Sequence, residues 1–343
     1  MSWPAITFTQ GLSGFVWVWL LHGLWLGTVA ASLVALAFRA CRHLTHRTRH
    51  LILVSAMLAI ALGPPVLTLI QRSQPIPEPG GWLVITQPAA RPAPAARALA
   101  EPQPRGNARI ATVDISWSGL FRSSIERWSD RATACVQAAR PIALGGWAVG
   151  VGVLAIVMGL GLRGLTKIVG RSVPAAPDVQ RRADRLARDL GLPRSPVIRT
   201  TDRLDEPCVC GFVRIWILLP SRWLRTASHD SLDAVLAHEL AHAKRRDHLA
   251  NLAQRLVESL FFHHPAVHWL SRSLRQESEH CADAIAAILT GSPLSLALAL
   301  ESVARLRFDH RAGKSRRYWS SLGGDPHSLL LPRIQELIGM KPI

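Results

Sequence analysis

Residues 228–247 read SHDSLDAVLAHELAHAKRRD and contain an H-E-x-x-H motif, His238-Glu239-Leu240-Ala241-His242. Four residues make about one helical turn, so a helix places both imidazoles on one face, where they can bind the same metal ion. Glu239 lies beside the first histidine and can act as a general base toward a water molecule. The alternative is that both histidines are polar positions on an amphipathic helix.

A third ligand is predicted on a second helix, over residues 267–289. A catalytic zinc takes three protein ligands and leaves one position to water. Glu279 and Asp283 are four residues apart and share a helical face, so we assign Glu279 as the ligand and Asp283 as the carboxylate that orients a ligand histidine. Glu277 stays open as an alternative ligand, whereas the direction of His280 makes it a neighbour.

Three stretches without any Lys, Arg, Asp or Glu are long enough to cross a bilayer: residues 12–38, 51–70 and 142–162. Charged residues make up 18% of the chain, fewer than in ordinary soluble domains. Basic residues crowd the link between the first two stretches and follow the third. This charge pattern predicts a multi-pass protein of the cytoplasmic membrane with its N-terminus outside and its C-terminal part in the cytoplasm.

The predicted fold class is a membrane protein of the α+β type: three transmembrane helices, then a mainly helical zincin-like metallopeptidase domain with a small antiparallel sheet. The predicted parts are two transmembrane helices with a short basic link (1–72), a Pro/Ala-rich extracytoplasmic loop (73–141), a third transmembrane helix (142–163) and a cytoplasmic metallopeptidase domain (164–343). Two interpretations of one strand stay open, an edge strand that holds substrate or an ordinary core strand. Its residues are Ile215, Trp216, Ile217, Leu218 and Leu219.

Residues 238–283, HELAHAKRRDHLANLAQRLVESLFFHHPAVHWLSRSLRQESEHCAD, resemble the BlaR/MecR family of membrane-integral zinc metallopeptidases. Three features carry the resemblance: H-E-x-x-H followed by Arg246-Asp247, a Pro-containing turn before an aromatic helix, and E-x-x-x-D. The resemblance implies a gluzincin-like enzyme with one Zn²⁺ per chain. The residues it implies are the ligands His238, His242 and Glu279, the general base Glu239 and the orienting carboxylate Asp283.

The resemblance also implies regulated proteolysis of a cytoplasmic or membrane-proximal protein, with a small winged-helix repressor as the partner. Receptor members of the family continue into a penicillin-binding sensor domain. Because the extracytoplasmic segments contain no S-x-x-K motif, β-lactam sensing by this chain is not expected. Arg333 matches an arginine common near the end of such domains, and two roles stay open for it, oxyanion stabilisation or a structural salt bridge.

The formal net charge of +17 arises from 40 basic and 23 acidic residues. The basic residues cluster beside the apolar stretches, so a lipid bilayer is the expected partner and direct nucleic-acid binding is not expected. An alternative function is a non-catalytic metal-binding membrane scaffold or signal transducer. Such a closed structural site needs a fourth protein ligand, for which Cys281 and His280 are the candidates in sequence.

Overall fold

The computed structural model describes residues 12–41, 43–73, 117–313 and 333–339, and most of that chain is helical. The first three helices are α1 (Leu12–Ala40), α2 (His46–Ser73) and α3 (Trp117–Arg171). Each contains a segment long and apolar enough to cross a membrane, which confirms the three predicted apolar helices: Ser13–Ala40, His46–Ile70 and Trp128–Arg171.

Ten shorter elements follow α3. They are β1 (Val173–Pro174), α4 (Pro177–Asp189), β2 (Val197–Thr201), β3 (Cys208–Cys210), β4 (Trp216–Pro220), α5 (Ser221–Leu224), α6 (His229–Arg245), α7 (Asp247–Leu260), α8 (Pro265–Thr290) and α9 (Pro293–Gly313). Residues 333–337 add one short helical turn. Most of the predicted extracytoplasmic loop, residues 74–116, lies outside the described residues, and residues 117–141 belong to α3.

The chain divides into two compact units, Leu69–Gly145 and the remainder. In the first unit, the described residues from Trp117 onward are helical. Every element discussed below lies in the second unit, which includes α1, most of α2, the later part of α3 and all the elements after it.

The sheet is mixed, which corrects the prediction of an antiparallel sheet. Its strand order is β1-β2-β4-β3, with β2 and β4 parallel and the other two pairs antiparallel. The chain turns back after β3, and β4 then inserts between β3 and β2, so β4 runs in the direction of β2. Gly211 permits this return: its φ is +110°, and a Cβ there would lie 2.0 Å from the carbonyl oxygen of Arg214.

The prediction that residues 215–219 form a substrate-binding edge strand is wrong. Strand β4, which contains Trp216, Ile217, Leu218 and Leu219, has β2 on one side and β3 on the other, and Ile215 lies just before it. Both of its hydrogen-bonding edges are therefore occupied. Ile217, Leu218 and Leu219 are fully buried, as expected for the alternative interpretation of a core strand.

Helix α6 is the centre of the main apolar core. Leu236, Ala237 and Leu240 are fully buried, and they belong to a cluster that includes Ile217 of β4 and Trp223 of α5. Because small alanines alternate with leucines along α6, neighbouring elements can pack closely around it. The Ser228 hydroxyl caps the helix by accepting a hydrogen bond from the amide of Ser231. The motif helix is therefore held rigidly.

A second apolar cluster joins α1 and α2 to the α7–α8 turn and α8. Phe261, Val267 and Leu270 are fully buried there, packed with residues of α1 and α2 such as Val34 and Leu53. Helix α1 approaches the turn closely because it has glycine at the contact, and a Cβ at position 23 would lie 2.3 Å from the Phe261 ring. Helices α1 and α2 thus share this cluster with the α7–α8 turn and α8.

Candidate metal centre and active site

The structure brings together the three side chains predicted as metal ligands. His238 and His242 lie one turn apart on α6, with 3.1 Å between their Nε2 atoms. Glu279 reaches them from α8, with Oε2 3.6 Å from His238 Nε2 and Oε1 3.7 Å from His242 Nε2. One donor atom from each residue lies within 4.8 Å of the others, so a single cation can contact all three.

The donor set fits a catalytic zinc ion. Two imidazole nitrogens and one carboxylate oxygen are ligands that Zn²⁺ takes in peptidases. Each Nδ1 atom faces a carboxylate, so both Nε2 atoms point toward one region, where they can share a proton or bind one cation. Among the described residues, no fourth His, Cys, Asp or Glu joins this group. A four-coordinate ion would therefore keep one position open for water or substrate.

Two aspartates orient the histidine rings. His242 donates from Nδ1 to Oδ2 of Asp247 at 2.8 Å. The Nδ1 atom of His238 lies 3.0 Å from Oδ1 of Asp283, the residue predicted for this position, at the distance of an ion pair but without the alignment of a hydrogen bond. Both carboxylates face the ring atom opposite the metal-binding nitrogen, which favours the tautomer that a metal ligand requires.

Asp247 is a site residue that sequence reasoning did not assign. Helix α6 ends at Arg245, the capping residue Arg246 adopts the left-handed conformation with φ of 57°, and α7 begins at the next residue. This sharp junction turns Asp247 back toward His242. Burial raises the pKa of Asp247, but the hydrogen bond from His242 and the charge of Arg245 outweigh it and lower the pKa. The signal in the sequence that could have identified Asp247 is the Arg246-Asp247 pair that follows the H-E-x-x-H motif.

Arg333 binds two of the acidic residues at the centre. Its Nε and Nη2 atoms donate to both oxygens of Asp283, at 2.7 and 2.8 Å, and its Nη1 atom lies 2.9 Å from Oε2 of Glu279. Of the two roles left open, the geometry is that of a salt bridge. Burial raises the pKa values of Glu279 and Asp283, but the guanidinium and His238 hold both well below their usual range. Both carboxylates therefore stay ionised.

Glu239 is buried beside the two histidines, in an environment that makes its carboxylate a better proton acceptor. The residue is 8% exposed. Burial raises its pKa, and the neighbouring His238 and His242 oppose the rise without cancelling it. A carboxylate whose pKa lies closer to the working pH exchanges protons more effectively in a transition state.

His238 is affected by burial and by its carboxylate partners in opposite directions. Burial lowers the pKa of His238, but contacts with Asp283 and Glu279 raise it to about 10 without a metal.

Neither Glu277 nor His280 belongs to this group. Glu277, the alternative ligand, lies against α2 instead, with Oε2 2.6 Å from Nδ1 of His46. His280 faces the C-terminal turn, with Nδ1 2.6 Å from Oε2 of Glu336. Cys281 is buried and has a free thiol, and it does not join the group either. The candidates for a closed four-ligand site are thus directed elsewhere.

Comparisons with known proteins agree with this geometry. A family model described as BlaR1 peptidase M56 matches residues 114–292, more than half of the chain. The regulatory protein BlaR1 of Bacillus licheniformis is 35% identical over 92 residues, covering 27% of this chain and 14% of that protein. The regulatory protein BlaR1 of Staphylococcus aureus is 29% identical over 87 residues, covering 25% of this chain and 15% of that protein.

A relative that is named as a protease, and not as a regulatory protein, aligns over a longer segment. The protease HtpX homolog of Gemmatimonas aurantiaca is 30% identical over 167 residues, which cover 38% of this chain and 59% of that protein. In each of these three relatives the aligned part is less than two thirds of the protein's length.

Proposed function

This chain belongs to the BlaR1 peptidase M56 family, and from that premise we propose that it is a zinc-dependent endopeptidase whose active site is built on α6 and α8. Family membership confirms the resemblance inferred from residues 238–283 and supports a membrane-associated metallopeptidase. The observation that carries the finer proposal is the convergence of His238, His242 and Glu279, with Glu239 beside the first ligand.

We assign His238, His242 and Glu279 as the residues that hold the zinc ion. When bound there, zinc would polarise the substrate carbonyl and make a water molecule more acidic. Glu239 accepts a proton from the attacking water and then donates it to the nitrogen of the leaving amine. Asp247 and Asp283 keep the imidazoles in the required orientation.

Arg333 has a positioning role in this proposal. Its three short contacts hold Glu279 and Asp283 in place, and its charge keeps both carboxylates anionic. An anionic Glu279 is a better ligand for a divalent cation than the protonated acid is. These contacts already occupy the guanidinium, which favours this role over oxyanion stabilisation.

We propose that the substrate binds along the free edge of β3 as an added strand. Among the described strands, β3 pairs with β4 alone, so its other edge has backbone groups to offer. It also lies close to the site, because β3 contacts α6, and burial together with the negative charge of Glu239 raises the pKa of Cys208 on this strand to about 12. An extended peptide that adds to this edge would gain backbone hydrogen bonds beside the proposed general base.

The topology and the partner complete the proposal. We place the N-terminus outside the cytoplasmic membrane and the peptidase domain, residues 164–343, in the cytoplasm, with the parts at 1–72, 73–141 and 142–163 as predicted. The substrate is a cytoplasmic or membrane-proximal protein cleaved in regulated proteolysis, and a winged-helix repressor is the partner class. Two relatives named as regulatory proteins and one named as a protease support this assignment.

The full chain purified in detergent tests the chemistry. We expect Glu239→Gln to retain zinc and to lose about 10²–10⁴-fold in cleavage of a repressor-type or unstructured protein substrate, the range for removal of a general base. Glu301→Gln on α9 is the matched control, since the Glu301 side chain is half-exposed and pairs with Arg305 alone among the described contacts. Equal cleavage by wild type and Glu239→Gln would exclude Glu239 as the base. Zinc binding without any turnover would favour the metal-binding scaffold instead.

A further inference from the structure

A second group of metal-ligand side chains lies outside the catalytic centre. His46 is the first residue of α2, His280 lies on α8, and Glu336 lies on the turn at residues 333–337. The Nε2 atom of His46 is 2.7 Å from Oε1 of Glu336, and Nδ1 of His280 is 2.6 Å from Oε2 of the same carboxylate. One donor atom from each of the three residues lies within 4.8 Å of the others.

A fourth residue orients the first histidine of this group. Oε2 of Glu277 lies 2.6 Å from Nδ1 of His46, which directs Nε2 of the same ring toward Glu336. The side chain of Glu277 is 10% exposed, so the contact is screened little by water. A buried carboxylate on the far nitrogen of an imidazole is the arrangement that accompanies histidine ligands in metal sites. Asp247 stands in the same relation to His242 in the catalytic centre.

The charge and exposure of the group also suit a divalent cation. Two carboxylates, Glu277 and Glu336, surround the two imidazoles, and Arg49 approaches Glu277 at 3.7 Å. The two carboxylates and the Arg49 guanidinium leave one net negative charge beside the imidazoles, which favours binding of a cation. The Glu336 side chain is 45% exposed, which lets water complete the coordination.

Binding requires a local rearrangement of the three side chains. Ligand atoms around a tetrahedral ion lie roughly 3.3 Å apart, farther than the present hydrogen-bond contacts, and the half-exposed Glu336 side chain can move to supply this distance. The imidazoles of His46 and His280 are stacked, with ring centroids 4.7 Å apart, so both rings would also tilt to direct one nitrogen each at the same ion.

We propose that His46, His280 and Glu336 form a second site for Zn²⁺ or a similar borderline transition-metal ion, with Glu277 as the residue that orients His46. Two imidazoles and one carboxylate favour such an ion over Mg²⁺ or Ca²⁺, which prefer oxygen ligands. The site ties α2 to α8 and to the turn that also carries Arg333. Since Arg333 contacts Glu279 and Asp283, metal at this second site holds the catalytic carboxylates in place.

Metal stoichiometry tests the proposal without relying on activity. The full chain in detergent is stripped with a chelator, equilibrated with zinc at a buffered micromolar free concentration, and analysed for zinc per chain. We expect two equivalents in wild type and one in Glu336→Gln. His238→Gln is expected to keep one equivalent, and the double variant none. If the catalytic site bound no zinc and the second site did, wild type and His238→Gln would each hold one equivalent and Glu336→Gln none. If only the second site failed, wild type would hold one equivalent and His238→Gln none, so the two assignments are tested separately.

Glu336→Gln preserves the side-chain shape and changes a half-exposed position, and Glu301→Gln again serves as the control. A single equivalent in wild type that His238→Gln removes would overturn the proposal, since the group would then hold protons only. Two equivalents retained in Glu336→Gln would overturn the ligand assignment. His46→Gln removes another proposed ligand and should also lower the zinc content to one equivalent. If this variant does not fold, the result with Glu336→Gln decides. The visible absorption of cobalt-substituted protein provides a second readout. We expect Glu336→Gln to change that spectrum and Glu301→Gln to leave it unchanged.

Discussion

Asp247→Asn is the substitution that best separates orientation of a ligand from ligation itself. Asn has nearly the same shape as Asp and can still accept from Nδ1 of His242, but it lacks the negative charge. In the native site, Asp247 is 4% exposed and receives two charge-assisted contacts, from His242 at 2.8 Å and from the Nε atom of Arg245 at 3.1 Å. Because the amide cannot accept as strongly from both, the imidazole becomes a poorer donor to zinc.

The expected magnitude follows from the behaviour of such orienting carboxylates. Their loss typically weakens metal affinity or activity by about 10–100-fold. Each factor of ten corresponds to about 1.4 kcal/mol, so the change in zinc-binding free energy should be about 1.4–2.8 kcal/mol. The low exposure of Asp247 places the effect toward the upper end, since little water is available to replace the lost charge.

Competition of the full chain with a zinc chelator of known affinity measures this change. Asp233→Asn is the matched control: it makes the same chemical change on α6, where Asp233 accepts from Arg182 at 2.9 Å and is 31% exposed. We expect the control to bind zinc as wild type does. Wild-type zinc affinity in Asp247→Asn, with the protein folded, would refute the role of Asp247 in orienting His242.

Three further predictions follow from the site and the core. Arg333→Gln should raise the depressed pKa values of Glu279 and Asp283. In a pH profile of kcat/KM, the acid limb should therefore move to higher pH by about 1–3 pH units, and an unchanged acid limb would contradict the salt-bridge role. Phe261→Ala removes a fully buried ring between α1 and α8 and should cost about 3–5 kcal/mol, seen as a lower thermal midpoint in detergent; a midpoint within error of wild type would contradict the packing. Removal of metal with a chelator should abolish cleavage and leave the circular dichroism signal of the helices unchanged, because α6 is packed by alanines and leucines; re-addition of zinc should restore cleavage.

Site residues that share one face of a single helix were predictable from their spacing in the sequence. The spacing of His238 and His242 places them on one face, and the spacing of Glu279 and Asp283 does the same on α8. Helical spacing alone left Glu277 open as a ligand. Only the tertiary structure shows that it contacts His46, which lies 231 residues away in the chain. No local pattern reports a contact over such a separation.

Other features depended on backbone conformation or strand order. The role of Asp247 requires the left-handed conformation of Arg246, which a positively charged side chain does not indicate. Apolar residues at 215–219 predicted a strand, but the same composition suits an edge or an interior position. The insertion of β4 between β2 and β3 is a property of the whole sheet, so both the strand direction and the edge assignment were inaccessible to local periodicity.

The apolar cluster shared by α1, α2 and α8 determines how this chain can be truncated. A fragment beginning at β1 would lack α1 and α2, and Phe261, Val267 and Leu270 would then face solvent. Such an exposed surface promotes aggregation. The same α8 carries Glu279, so damage to its packing would reach the metal ligand directly. Helices α1 and α2 are therefore an integral part of the body that carries the proposed metal site, and we expect a fragment without them to be insoluble.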